Sequence, residues 1–229
     1  MKKHTSSGSH VVTWKRVSAL FLLAAVASCG GGGGDDTPTP PAAAPAPAPA
    51  ASMPSVVDAG SVQDSHQVGT TFFPSGPTAT GGTGNPVGGV NCGTADQTVA
   101  YFAHLSIFMN GQMLTIPDRV GIVRDAAGNL TCVYTVHTHT GDLSGRIHKE
   151  GPDQTVYTLG NFFSVWGMPL TTTNVAGITS APLTAVYIVD GGVVTQFTGD
   201  PATIQLTSHR HIALVLGTPI TQLPVYSWN

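Results

Sequence analysis

The chain has 229 residues, room for one domain with appendages. Charged residues make up 9%, against about 25% in ordinary soluble domains, and 9 Lys+Arg face 12 Asp+Glu for a formal net charge of −3. That balance excludes a highly charged disordered chain, a coiled coil and a basic nucleic-acid binder.

The first element is an address. Lys2, Lys3, Lys15 and Arg16 precede an apolar run, Val17 to Ser28, which Cys29 ends. The run is shorter than the roughly 20 residues that span a bilayer, and it fits the apolar region of a secretory signal. The residues Val26-Ala27-Ser28-Cys29 resemble a bacterial lipobox. That resemblance implies cleavage before Cys29, lipidation of Cys29 and a membrane anchor in the cell envelope. Gly30 rather than Asp follows the cysteine, which points to the outer membrane, on its periplasmic or surface side. The other reading is an ordinary signal with an incidental cysteine. Cleavage there leaves five basic residues against twelve acidic ones, a formal −7. A net acid chain with scattered cations has no electrostatic reason to hold nucleic acid.

A tether follows. Gly30 to Gly34 are flexible, and the Pro/Ala tract from Thr37 to Pro54 favours extended polyproline II. Residues 56–90 stay rich in Gly, Ser, Thr and Pro and read as weakly ordered, with Phe72 and Phe73 as an apolar pair for docking on the domain. The organisation expected is a signal over 1–28, a lipidated Cys29 and tether over 29–55, a weakly ordered segment over 56–90, and a β-rich globular domain over 91–229.

Within that domain, Thr98 to Met109 is rich in β-branched and aromatic residues. Asn110-Gly111 then marks a hairpin turn into Gln112 to Ile116. Thr131 to Thr140 alternates apolar and polar residues. Arg146 to Glu150 and Gln154 to Thr158 are short strand candidates. Leu159, Phe162, Phe163 and Trp166 carry the i, i+3, i+4, i+7 stripe of a short helix, with Thr158 as N-cap and Gly167 at its end. Those aromatics read as core. Thr184 to Val189, Asp190-Gly191-Gly192 and Val193 to Thr198 make a second hairpin. Ile204 to Thr207 and His211 to Leu216 complete the series. The fold class is mainly β (α+β), with antiparallel hairpin units around one short central helix, preceded by a disordered tether.

Of the three cysteines, Cys29 belongs to the address. In an oxidising compartment Cys92 and Cys132 are expected to pair as a disulfide; a thiolate metal site is the alternative.

The densest chemistry lies between His137 and Glu150. Residues i and i+2 of a strand share a face, so His137 groups with His139, and His148 with Glu150, the only glutamate of the chain. With Asp142 to Gly145 as a four-residue loop, His139 would face His148 and His137 would face Glu150. A one-residue change of register would send the pairs to opposite faces. Imidazole with carboxylate suits Zn, Cu, Ni or Fe(II). Solvated or structural histidines and acid/base catalysis are the competing readings. His104 reads as core-facing, with a secondary metal role. His209 and His211 flank Arg210 as a polar strand entry.

Two resemblances bear on this segment. Cupins place a Glu three or four residues after H-x-H; here Asp142 and Leu143 stand there, so the chain departs from that pattern. Closer is a set of uncharacterised exported bacterial proteins. The residues that carry it are His104-Leu105-Ser106-Ile107, Ile116-Pro117, Cys132 to His139, Gly145 to Glu150, and Thr158 to Leu170, so it covers roughly 92–226. Ala100 and Phe102 stand where such proteins often carry further histidines. The set has no established activity, so the resemblance implies a domain rather than a reaction.

Three functions remain open on these residues. One is a membrane-anchored envelope lipoprotein that binds Cu or Zn through His137, His139, His148 and Glu150. Another is a metal-independent envelope module for a peptide, glycan or partner protein. The third is a hydrolase or oxygenase that uses the same histidines, although no G-x-S-x-G, H-E-x-x-H or P-loop is present.

Overall fold

A computed structural model describes residues 52–70, 73, 81–94, 98–151 and 154–228. The signal, Cys29, nearly all of the tether and Phe72 lie outside the described residues. The strands are β1 (Ser55–Val62), β2 (Cys92–Gly93), β3 (Val99–Met109), β4 (Gln112–Leu114), β5 (Ile122–Arg124), β6 (Leu130–Tyr134), β7 (Val136–His137) and β8 (Arg146–Glu150). A helix, α1 (Leu159–Trp166), precedes β9 (Leu183–Asp190), β10 (Val193–Gln196), β11 (His211–Leu216) and β12 (Gln222–Trp228). The described residues are mainly β with one short α-helix.

The principal sheet has the order β10-β9-β11-β3-β8-β7, and β4 joins β3 beyond the end of β8. Strand β3 is its spine. Along one edge it pairs with β11 from His104 to Met109; along the other it pairs first with β8 and then with β4. One face carries Ala103, Leu105 and Ile107, with Ile147, Ile212 and Leu214, into the core that α1 fills with Leu159, Phe162, Phe163 and Trp166. The opposite face carries Phe108, Ala213, Val215, Tyr187 and Val189 against Ile220 and Leu223.

Both expected hairpins form. Asn110 and Gly111 take φ of 51° and 82°, and Gly191 and Gly192 take 55° and 82°. Positive φ at both central residues is the turn that matches strand twist. The helix also forms as its sequence dictates. The Thr158 side chain accepts from Asn161 N, Asn161 answers at the Thr158 N–H, and Gly167 closes the helix at φ 75°.

The antiparallel expectation needs correction in two places. Strand β11 runs parallel to β3, and β1 runs parallel to β12. A tight hairpin imposes antiparallel pairing, but these partners are joined by long crossovers, which permit the parallel sense. Strands β1, β2, β5 and β12 escaped the sequence reading. The stretch 154–158 forms no strand, and 204–207 follows a 3-10 turn, Pro201–Thr203. The alternation expected through Thr140 stops at His137.

The described residues of the segment 56–90, which was expected to be weakly ordered, make defined contacts with the domain. Strand β1 lies along β12, and beyond it Val68 N donates to Leu143 O while Leu143 N donates to His66 O. Gly82 N donates to Val165 O, Asn161 Nδ2 donates to Gly88 O, and the Tyr134 hydroxyl donates to Asn85 O. Phe73 sits edge-on to Trp166, with ring centroids 5.0 Å apart. A Gly/Ser/Thr-rich chain cannot form its own core, but its backbone groups are satisfied on a neighbouring surface.

Cys92 and Cys132 are joined in a disulfide, Cα to Cα 5.6 Å, which ties β2 to β6. Replacing both by serine is expected to cost about 4 kcal/mol of stability, from the loop-entropy relation. Denaturant unfolding without reductant measures it; an unchanged midpoint would show that the bridge contributes nothing.

Candidate metal centre

The site lies where the sheet ends, at the edge pair β7–β8. His137 pairs directly with His148, two residues away from the register expected from a four-residue loop. The shift is even, so the parity survives, and His137, His148 and Glu150 still share a face.

His139 arrives by a different route from the one expected. It has left the strand. Thr138, buried, donates its Oγ1 hydrogen to Pro117 O at 2.9 Å and accepts from Val120 N at 3.0 Å. Arg119 N and Asp142 N both donate to His139 O. Asp118 Oδ2 accepts from Gly141 N at 3.0 Å. These bonds turn the 138–145 connection back over the sheet edge, so the His139 ring stacks on the His148 ring with centroids 3.5 Å apart. Gly145 then enters β8 at φ 87°, packed so closely that a Cβ would overlap Leu105 O.

The polar geometry is directional. His137 Nδ1 lies 2.8 Å from Tyr134 O. A carbonyl only accepts, so the proton sits on Nδ1 and Nε2 keeps its lone pair. Asp64, from the turn after β1, places Oδ2 3.1 Å from His139 Nδ1 and Oδ1 3.1 Å from His148 Nε2. His148 Nε2 donates to Asp64, while His139, 3.1 Å from a carboxylate on each side, donates to Asp64 or to Glu150. The remaining nitrogens converge on Glu150. His139 Nε2 lies 3.1 Å and His148 Nδ1 3.5 Å from Oε1, and His137 Nε2 lies 3.6 Å from Oε2. One ligand atom from each of the four residues falls within 4.8 Å of the others. His148 Nδ1 has no hydrogen-bond donor or acceptor in place.

Electrostatics keep the ligands available. Burial, and then the neighbouring His139, pull His137 down to about 4. Burial and His139 pull His148 down to about 3. Both imidazoles are therefore neutral near pH 7. Burial pushes the Asp64 carboxyl up, but His148, His139 and Arg146 together outweigh it and hold the group below its ordinary value. A cleft of about 290 Å³, lined by Ile122, Arg124, Leu130, Val133, His137, His139, Thr140 and Glu150, opens onto the cluster.

The four residues singled out from the sequence are thus brought together, and His104 is not among them. It is fully buried, with Nε2 donating to Ser144 O at 2.7 Å and its ring against His211 and Tyr226. His211 bonds Ser106 Oγ at 2.9 Å, and His209 stacks on Trp228. Asp64 was missed. It lies far along the chain in a segment without strand alternation, and no spacing rule links it to His139.

Comparisons with known proteins add no name: no family, curated protein or solved structure matches the chain.

The buried His104 sets an acid limit on the fold. Burial lowers it to about 4, whereas the unfolded chain protonates it near 6.5. Below about 6.5 the unfolded state binds the extra proton, so stability is present above that pH and is lost as pH falls toward 4. Between pH 7 and pH 5 this one group is expected to remove about 2 kcal/mol. In His104→Gln, whose amide still donates to Ser144 O, the pH 7 to pH 5 loss in denaturant midpoint should shrink. An equal loss in both proteins would place the acid sensitivity elsewhere.

Proposed function

We propose that the protein binds a transition metal, Zn2+ or Cu2+, through His137 Nε2, His139 Nε2, His148 Nδ1 and Glu150. One observation carries this reading. His137 and His148 have their far nitrogens held as donors, by Tyr134 O and by Asp64, while one nitrogen of each of the three imidazoles faces the same carboxylate. Four lone-pair donors at such distances repel unless a cation sits among them, either a proton or a metal ion. Four ligands at about 2.0–2.1 Å around a tetrahedral zinc lie about 3.3 Å apart. The three His–Glu150 spacings, 3.1–3.6 Å, bracket that edge. The carboxylate behind the imidazoles is the usual outer partner of metal-bound histidine.

Four protein ligands fill a tetrahedral site, which favours binding or handling of the metal over catalysis at an open position. The cleft over His139 supplies a route for exchange. The place we propose is the cell envelope, with Cys29 lipidated and the domain held from an outer membrane by the Gly/Pro tether. The Cys92–Cys132 disulfide supports an oxidising compartment, and the resemblance to exported bacterial proteins agrees with it. Among the described residues no helix is long and apolar enough to cross a membrane. A peptide, glycan or partner protein at the same cleft is the alternative use of the surface.

Metal analysis of the dialysed full-length protein tests the reading. Zn2+ or Cu2+ should be retained by the parent and by His209→Ala. Affinity should fall by at least 100-fold in His137→Ala/His139→Ala. A parent that binds neither ion, with no thermal shift on their addition, would leave the histidines structural.

A further inference from the structure

The ligand groups around His148 are two, not one. Its Nδ1 faces Glu150, while its Nε2 faces Asp64 Oδ1 at 3.1 Å. Asp64, Asp142 and His148 form a second set whose ligand atoms lie within 4.8 Å of one another. Asp142 is 1% exposed. Its Oδ1 accepts from Ser144 N at 2.9 Å, while its Oδ2 is buried with no N–H donor and bonds the Asp64 carboxylate only when a proton lies between them. Asp64 is the carboxylate it meets, and Arg146 Nη1, 3.8 Å from Asp64 Oδ1, is the cation beside them. That guanidinium is already spread over the Phe102 ring, 3.5 Å from its centroid, and donates toward Val62 O. Asp64, Asp142 and Glu150 thus bring three carboxylates to one imidazole with a single arginine to answer them. A buried carboxylate oxygen without a donor is costly unless a cation satisfies it.

We propose that Asp64 Oδ1, Asp142 Oδ2 and His148 Nε2 form a second seat for a divalent first-row metal ion, so that His148 bridges two metals through its two ring nitrogens. This rests on the metal reading of His137, His139, His148 and Glu150. The second ion replaces the proton on His148 Nε2, which leaves to solvent, and the ring becomes an imidazolate. Carboxylate oxygens with one imidazole nitrogen suit Zn2+ or Cu2+. Asp64 lies at the mouth, 44% exposed at its side chain, so the second ion has a path from solvent.

Equilibrium dialysis of the full chain against Zn2+ or Cu2+ alone gives the stoichiometry. Two equivalents are expected for the parent and one for Asp142→Asn, whose amide oxygen still accepts from Ser144 N. Asp64→Asn, at an exposed position, should likewise bind one and guards against a folding failure of the buried variant. In the protein carrying two Cu2+, coupling through the bridge should suppress the electron paramagnetic resonance intensity per copper. In Asp142→Asn with one Cu2+ that intensity should be full. One equivalent in parent and variants alike overturns the second seat and leaves the first site standing. Two equivalents with full intensity per copper overturn the bridge. No binding by the parent overturns both.

Discussion

The structure depends on β3 being paired along both edges while both of its faces are covered. Ala103, Leu105 and Ile107 meet α1, and His104, Ser106 and Phe108 lie buried on the opposite face. Polar groups on a strand in this position need partners within the protein, and although His104 Nδ1 has none, the other buried groups are answered. The fold answers with Ser144 O for His104 and with His211 for Ser106. The residue that satisfies His104 Nε2 belongs to the 138–145 connection, so burying the spine and shaping the His/Glu cluster are one problem. Gly145 sits between them, against Leu105 O, where no side chain fits.

Local signals carried much of this. The hairpins were legible because Asn110-Gly111 and Gly191-Gly192 need positive φ, and few residue pairs accept it. The helix was legible from its stripe and caps. What was not legible depends on distant partners. Strand β1, Ser55 to Val62, carries Gly60 and no strict alternation, and six of its eight residues are exposed; among the described residues it pairs with β12, at the far end of the chain. The parallel sense of β11 and β3 likewise follows from a crossover whose path no local spacing records.

The site divides along the same line. His137, His148 and Glu150 were found because strand parity is a local rule, and an error of two residues in register leaves parity intact. A one-residue error would have separated them. His139 was grouped with them on the premise of a continuous strand, whereas the chain leaves the sheet after His137 and returns the ring through the Thr138 and Asp118 bonds. The grouping was right for a different physical reason. Asp64 had no signal at all, although it contacts two of the three imidazoles and takes the His148 Nε2 hydrogen.

Asp64 also couples the site to folding. It belongs to a segment held mainly by backbone bonds to residues 113, 143 and 221 and by the β1–β12 pairing. Such a segment has little apolar burial of its own, since most of β1 is exposed, and regions of that kind open at low cost. Its carboxylate, however, spans His139 and His148. A metal bound by those imidazoles makes their far N–H groups better donors, which strengthens both bonds to Asp64. On the metal reading, affinity and the docking of residues 52–70 would be linked: whatever free energy the ion gained from a well-oriented Asp64 would be gained equally by the segment that carries it.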